Sequence, residues 1–535
     1  MALLAPDRPA AATGRRRPRP LAAVLAAVGI PVFMVTLDNL VVTTALPVIR
    51  TSLGASITDL QWFVNAYTLP FAAFLLTAAA LGDRIGRRRL LMVGAAAFCI
   101  VSLLAAFSTS AEMLIVSRAL LGIAGATLAP STLSLIFHMF QDPRQRSVAI
   151  GVWIGSFSAG SAVGPVLGGL MLEFFWWGSV FLLALPVMAL LLVLGPRVLP
   201  EYRDPDAGRL DPLSAGMSIL ALLAVIFGLK EIAQDGAGPI PAAAILIGLV
   251  VGYLWVRRQG RLADPMIDVG LFRIRTFNAA LAVNFLAIFV LVGYFLFVAQ
   301  YLQLVVGLSP LMAGLWSLPS AVAFIIGSQT APRIVQRVRP AYLIGGGLFV
   351  GAMGLAMLVG VGASNGLPLL IAASVVISIG LAPVFGLTTE LIVGTAPPER
   401  AGAASGISET AAELGGALGI AILGSVGVAI YRGAVGAQLP AAVPDGAAEV
   451  ARDTLGGAVA VAAELPAELG AVVLDVARQA FVAGMHLTSG IAAVVAVGLA
   501  LLAVVSLRGQ SLGGGDAEPA AAPEPRSRPG LEAAG

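Results

Sequence analysis

The chain predicts an all-α membrane protein of fourteen transmembrane helices, and three observations carry that expectation. Of its 535 residues 58% are hydrophobic and only 11% charged, with a mean hydropathy of +0.94, more apolar surface than a water-soluble globule needs. The apolar residues fall into fourteen runs suited to a hydrocarbon layer ~30 Å thick. The cations between those runs alternate in number, as the topology of a multi-span chain requires.

Residues 1–20 hold Arg8, Arg15, Arg16, Arg17 and Arg19 among Pro and Ala and read as a disordered basic tail. The apolar run behind it contains Asp38 and lacks a cleavage site, so it is expected to be retained. Spans are expected at 21–46, 60–81, 90–109, 113–137, 147–172, 179–196 and 213–232. Seven more follow at 240–256, 278–303, 312–331, 341–363, 368–393, 402–430 and 479–507. With the N-terminal tail counted as cytoplasmic, 26 of the 32 Lys and Arg residues fall on that side. The other six are Arg50, Arg118, Lys230, Arg432, Arg452 and Arg478, inside spans or on the outer face. The net charge of +3 therefore reports orientation in a cell membrane, both termini cytoplasmic, and no nucleic-acid partner.

Two loops depart from simple connection. Residues 257–277 mix Arg with Met266, Ile267, Leu271 and Phe272, the pattern of an interfacial amphipathic segment. Residues 431–478 form a long outer loop broken by Pro440, Pro444 and Pro466, with helical patterns at 446–464 and 467–477 that predict a short hairpin over the outer mouth. The tail 508–535 is rich in Gly, Ala, Pro and charge, and is expected to be disordered.

Several chemistries are excluded. A single cysteine, Cys99, rules out an internal disulfide and a cysteine metal cluster. His138 and His486 lie far apart near helix ends and suggest no metal site. Lys230 follows Leu229 rather than the glycine of a phosphate loop, so this chain does not pump with ATP. No catalytic constellation stands outside the spans; neither an enzyme nor a cofactor is expected.

The informative stretch is 401–424, AGAASGISETAAELGGALGIAILG, which places Glu409 and Glu413 inside a membrane span. Four residues apart, they share one helix face; at ~1.5 Å per residue they lie ~12 and ~18 Å from its start, bracketing the midplane. A carboxylate there costs roughly 2.5–3.5 kcal/mol on insertion scales and faces a bundle interior or wet cavity. Small residues surround the pair and no cation stands nearby in the sequence. Such a pair either carries protons and cargo or locks two helices by hydrogen bonds. Asp38, placed in the outer half of the first span, is a second intramembrane acid; Glu390 falls near the cytoplasmic end of the twelfth, at the interface. Arg118 is a cation inside the fourth span, either a proton relay or a pin on a neighbouring helix.

Between the second and third spans lies Leu81-Gly82-Asp83-Arg84-Ile85-Gly86-Arg87-Arg88-Arg89. Asp83, Arg84, Gly86 and Arg87 suit a conformational latch, and the ordered pattern resembles the signature loop of the major facilitator superfamily, with Ala79 where that pattern begins with glycine. The fifth span carries Gly160, Gly164, Pro165, Gly168 and Gly169, glycines that permit close helix approach around a proline. This run resembles the antiporter motif of proton-coupled drug exporters. Leu37-Asp38 through Leu46-Pro47 is similar to the first-span signature of fourteen-span drug:proton antiporters. Thr389-Glu390 and Glu409-Thr410 through Gly415 are similar to the quaternary-ammonium exporters among them.

The resemblance implies two six-helix bundles, 21–196 and 278–507, with two inserted helices and a linker in 197–277. Cargo would bind where the bundles meet, in a site that opens alternately inward and outward. Lipophilic cations call for aromatic walls; the candidates are Phe33, Tyr67, Phe157, Tyr294, Phe297, Tyr301 and Phe385. Burial favours the neutral form of a carboxylate, so Asp38, Glu390, Glu409 and Glu413 would each hold either a proton or a cation, which is antiport. The expected partners are protons, lipophilic cationic molecules and the bilayer, and the expected state is a monomer. A dedicated exporter of one endogenous metabolite or antibiotic would use the same scaffold. A non-transporting sensor would lack these motifs.

Overall fold

The computed structural model describes residues 21–509 except 205–207, 209, 237, 263, 398 and 399, so the expected tails 1–20 and 510–535 lie outside it. Fourteen helices among the described residues are long and apolar enough to span a membrane. Spans 1–6 are Ala22–Leu53, Asp59–Ile85, Arg87–Ala106, Ala111–Met139, Pro143–Phe174 and Ser179–Val198. Spans 7 and 8 are Pro212–Ile232 and Pro239–Gln259. Spans 9–14 are Arg275–Val305, Pro310–Ile334, Pro340–Leu358, Leu367–Thr395, Ala401–Gln438 and Ala467–Leu507.

Local chemistry sets many of the starts. Asp142, Asp211 and Ser309 each accept a backbone N–H at the head of a helix whose first residue is proline, so cap and fixed φ act together. Ser56 and Asp59 close a reciprocal capping box at the start of span 2.

The helices pair in a repeated pattern. In the first half, span 1 packs on 5, span 2 on 4 and span 3 on 6; in the second, 9 packs on 13, 10 on 12 and 11 on 14. Adding eight to each number of the first set gives the second. The bundles meet along two seams that the same rule interchanges, span 2 against 13 and span 10 against 5. Spans 7 and 8 break this symmetry. They form a hairpin whose span 7 lies on both span 2 and span 13, so it covers one seam and not the other. At its arginine-rich end Arg258 holds Asp211 at 2.7 and 3.0 Å. Hydrogen bonds from Ser214 and Arg258 keep the Asp211 carboxyl below the usual carboxylate range.

Two loop expectations are corrected. Residues 257–277 are not wholly an interfacial surface segment: Met266, Ile267 and Leu271 are buried in the protein while Phe272 stays exposed, and Gln259 accepts the Met266 N–H at 2.7 Å. The buried side chains anchor the linker, packing Met266 with Ala80 and Ala215. In the outer segment, 446–464 is not one helix but two, Asp445–Asp453 and Leu455–Glu464, because Thr454 caps the second. Residues 467–477 belong to span 14, whose helix runs unbroken from Ala467 to Leu507 after Pro466 sets its start.

Candidate translocation site

Span 13 presents Gly402, Gly406, Glu409 and Glu413 along one helical stripe, and the stripe faces span 2. Gly402 abuts the Asp83 and Arg87 side chains, and a Cβ on Gly406 would lie 2.6 Å from the Ala79 methyl. The glycine missing from the signature loop at Ala79 is thus supplied by the opposite helix. Further along, Leu414 and Ala417 pack with Leu69 and Ala72 of span 2 and with Ile226 and Phe227 of span 7. Glu409 and Glu413 therefore arrive at the junction of three helices, two from the bundles and one from the hairpin, and both side chains are half-buried.

The absence of a nearby cation in the sequence does not survive folding. Lys230 of span 7 donates to Asn65 Oδ1 at 3.0 Å and to Thr68 Oγ1, both on span 2. There it interacts electrostatically with Glu413. Lys230, Asn65 and Thr68 were not among the expected site residues. The available signal was that Lys230 is the only lysine in the chain and sits inside a span.

Asp38 is not in the outer half of its span, because the helix continues to Leu53 and leaves the acid near its middle. It pairs with Arg118 of span 4, whose Nε also donates to the Phe63 carbonyl at 3.0 Å. The Arg118 guanidinium lies 4.4 Å from the centre of the Tyr67 ring, within cation–π range. The guanidinium thus pins span 2 through the Phe63 carbonyl and neutralises Asp38 on span 1. Tyr67 in turn lies within electrostatic range of Glu413, joining the two acidic groups. The interior thus gathers three carboxyls, Asp38, Glu409 and Glu413, around two cations, Arg118 and Lys230.

Glu390 stands apart, near the end of span 12 and enclosed by protein. It is buried, accepts from Ser147 Oγ at 2.6 Å and lies 3.7 Å from Arg146 Nε. Ser147 and Arg146 belong to span 5, so the contact ties the two bundles at the arginine-rich end. The latch closes the same end. Asp83 accepts from Arg87 Nε at 2.9 Å, and Arg84 Nε donates to Gly208 O at 2.9 Å. Gly86 adopts φ +110, where a Cβ would be strained and would meet Glu201 Oε1 at 2.5 Å.

The span 5 motif is a packing surface. A Cβ on Gly160 would lie 2.7 Å from the Phe33 carbonyl, and one on Gly164 would lie 2.9 Å from Leu40 Cβ. Gly168 approaches Val41 and Thr44, whereas Gly169 has nothing within 4 Å. Pro165 meets Gly314 of span 10, so one face of the motif holds span 1 and the other the opposite bundle. Among the aromatic candidates only Tyr67 joins the charged centre. Phe157 packs edge-on against Trp153, and Phe385 stacks on Phe324. Phe297 packs on Phe481, Tyr301 donates to Gly362 O at 2.6 Å, and Tyr294 lines a small cavity with Ser320 and Ser374. These last three are held within the second bundle.

Comparison with known proteins matches residues 28–420 to the Major Facilitator Superfamily. The multidrug efflux pump LfrA of Mycolicibacterium smegmatis is 44% identical over 484 residues, covering 90% of this chain and 96% of that protein. The methyl viologen resistance protein SmvA of Salmonella typhimurium is 36% identical over 455 residues, 84% of this chain and 90% of that one. The human organic anion transporter MFSD10 superposes with a TM-score of 0.58 at 16% identity, covering 91% of this chain and 99% of its own, a likeness of fold alone.

Proposed function

This chain belongs to the major facilitator superfamily, and we propose that it is a proton-coupled antiporter that exports lipophilic cationic drugs, dyes and quaternary ammonium compounds from the cytoplasm by alternating access. Its relatives include drug-efflux and resistance proteins, and methyl viologen, named for one of them, is a small organic cation. The observation that carries the reading is the charge count at the centre. Three acids face two fixed cations inside a bilayer-spanning fold, so more than one carboxyl is available to trade a proton against a cationic cargo. Protonation and cargo binding then exclude each other, and that exclusion is the coupling.

Both termini lie in the cytoplasm in this reading, since the arginine-rich loops mark that side. Asp38, Glu409 and Glu413 exchange protons and cargo, and Arg118 and Tyr67 transmit the charge of Asp38 to span 2. Glu390 and the Asp83–Arg87 latch hold the inner gate. Exchange of one proton for one monovalent cation moves no net charge, leaving only the pH difference, about 1.4 kcal/mol per unit, as driving force. A second proton adds roughly 2.3 kcal/mol per 100 mV. Three central carboxyls permit it, and at least two protons move per monovalent cation.

The experiment is ethidium transport by reconstituted protein under an imposed pH gradient, with and without a membrane potential. Wild type drains the dye and responds to both forces. The triple variant Asp38→Asn, Glu409→Gln, Glu413→Gln does not concentrate dye against its gradient. Uphill transport by that variant overturns the assignment of the acids, and a cycle indifferent to membrane potential overturns the stoichiometry.

A further inference from the structure

The inserted hairpin is the part of the molecule most open to lipid. Span 8 is the least enclosed of the fourteen, with 17% of its apolar window buried, and Leu249, Tyr253 and Leu254 stand exposed along it. At the arginine-rich end the hairpin carries a cleft of about 510 Å³, within the size range of small-ligand sites. Leu213 and Met217 of span 7 line one side; Leu254, Arg257, Arg258 and Arg261 line the other. Each set recurs at three or four residues, one stripe per helix, with Arg261 in the turn that follows span 8. Depth sorts the lining by chemistry. At ~1.5 Å per residue Leu254 lies ~6 Å further into the membrane than Arg258, and Met217 as far beyond Leu213.

Cations in the last turn of a helix are favoured by its dipole, which accounts for their presence but not for their convergence on a cleft. Nor does it account for the charge left over. Arg258 is answered by Asp211 through Nε and Nη2. Arg257 and Arg261 make no ion pair among the described residues. The Arg257 guanidinium rests instead 5.8 Å from the centre of the Tyr253 ring. Three guanidiniums against one carboxylate leave two positive charges at the mouth of a groove whose floor is apolar. We propose that this cleft binds an anionic diacyl glycerophospholipid, its phosphate held by Arg257 and Arg261 and an acyl chain laid along Leu254 and Met217. Guanidinium groups match phosphate oxygens in geometry as well as charge, and basic pockets between membrane helices are suited to such headgroups. The site needs the arginine-rich end to lie at a bilayer surface and does not depend on what the chain exports.

The test uses full-length protein in detergent, read by native mass spectrometry and by Tm. Phosphatidylglycerol, phosphatidylcholine with the same chains, and inorganic phosphate are separate probes. Phosphatidylglycerol is expected to bind and raise Tm, and the other two are not. Arg257→Gln with Arg261→Gln lowers phosphatidylglycerol affinity roughly thirtyfold, about fivefold for each arginine lost near the membrane surface. Each single variant shows its fivefold share should the double variant not fold. Arg333 and Arg337 repeat the spacing at the end of span 10, outside the cleft, and their double Gln variant keeps affinity within twofold of wild type. Equal loss in the two double variants, or a loss under twofold in the cleft variants, overturns the proposal. Equal stabilisation by inorganic phosphate would make the cleft an anion site with no use for a chain, and equal binding of phosphatidylcholine would make it a groove with no use for charge; either result overturns it too. No dye and no gradient enter these measurements, so the export reading stands or falls separately.

Discussion

The two seams between the bundles are related by the internal repeat and differ in everything that bears on transport. Where span 5 meets span 10, contact is made by small and neutral groups. A Cβ on Gly151 would lie 2.8 Å from Ser328 O, Gly155 approaches Ser328 Oγ, and Ser158 donates to Ala321 O at 3.4 Å. Where span 2 meets span 13, glycines again bring the helices together at Gly402 and Gly406. That stripe continues into Glu409 and Glu413, and the hairpin lies over it with Lys230. The same backbone solution therefore serves two purposes. Uncharged contacts suit a surface on which bundles rock, because few polar groups must be satisfied anew as it shifts. Carboxyls need a seam shielded from lipid, which the inserted helices provide.

The comparison can be broken most sharply at Asp38. Asp38→Ala leaves Arg118 buried without its anion and is expected to destabilise the protein by about 3–5 kcal/mol, read as a lowered Tm in detergent. Adding Arg118→Leu recovers most of that stability without recovering transport. Ser158→Ala on the neutral seam should cost no more than about 1 kcal/mol. Equal losses at the two positions would mean that the buried Asp38–Arg118 pair matters no more than a neutral contact on the span 5 seam.

A smaller effect tests close approach. Gly406→Val forces a side chain against Ala79 and is expected to slow dye efflux roughly tenfold, about 1.4 kcal/mol on the transition state. Ala79→Gly in the same protein should restore part of the rate, since either helix can supply the missing volume. Gly169→Ala, with open space around it, should transport like wild type. Failure of the Ala79→Gly rescue would show that Gly406 serves backbone flexibility rather than packing.

The smallest effect concerns the hairpin's own clasp. Because its hydrogen bonds keep the Asp211 carboxyl below the usual carboxylate range, the stability it contributes is complete above its unfolded pKa of ~4 and is lost as pH falls through the lower folded value. Asp211→Asn should flatten that acid limb of a stability–pH curve and leave the curve near neutrality almost unchanged. A variant whose acid limb matched wild type would exclude Asp211 as its source.

Much of this was legible before any fold was known. Fourteen apolar stretches, the alternation of arginines and the acids at Glu409 and Glu413 are local properties, and hydropathy sums over adjacent residues regardless of partners. Asp38 and Arg118 were each visible as charges in oil, but their pairing across 80 residues was not. The same holds for Glu390, whose position near a helix end looked interfacial until Ser147, 243 residues away in sequence, closed over it.

Sequence alone determined that this chain crosses a membrane fourteen times and buries carboxyls it must manage. It also specified the glycines through which its helices could touch. Tertiary structure alone decided which seam holds the acids, that Gly406 answers Ala79, and that Lys230 meets Asn65 from 165 residues away. The reason is physical. Transfer into hydrocarbon is an energy each segment meets by itself, whereas the neutralisation of a buried charge depends on which distant helix packs beside it.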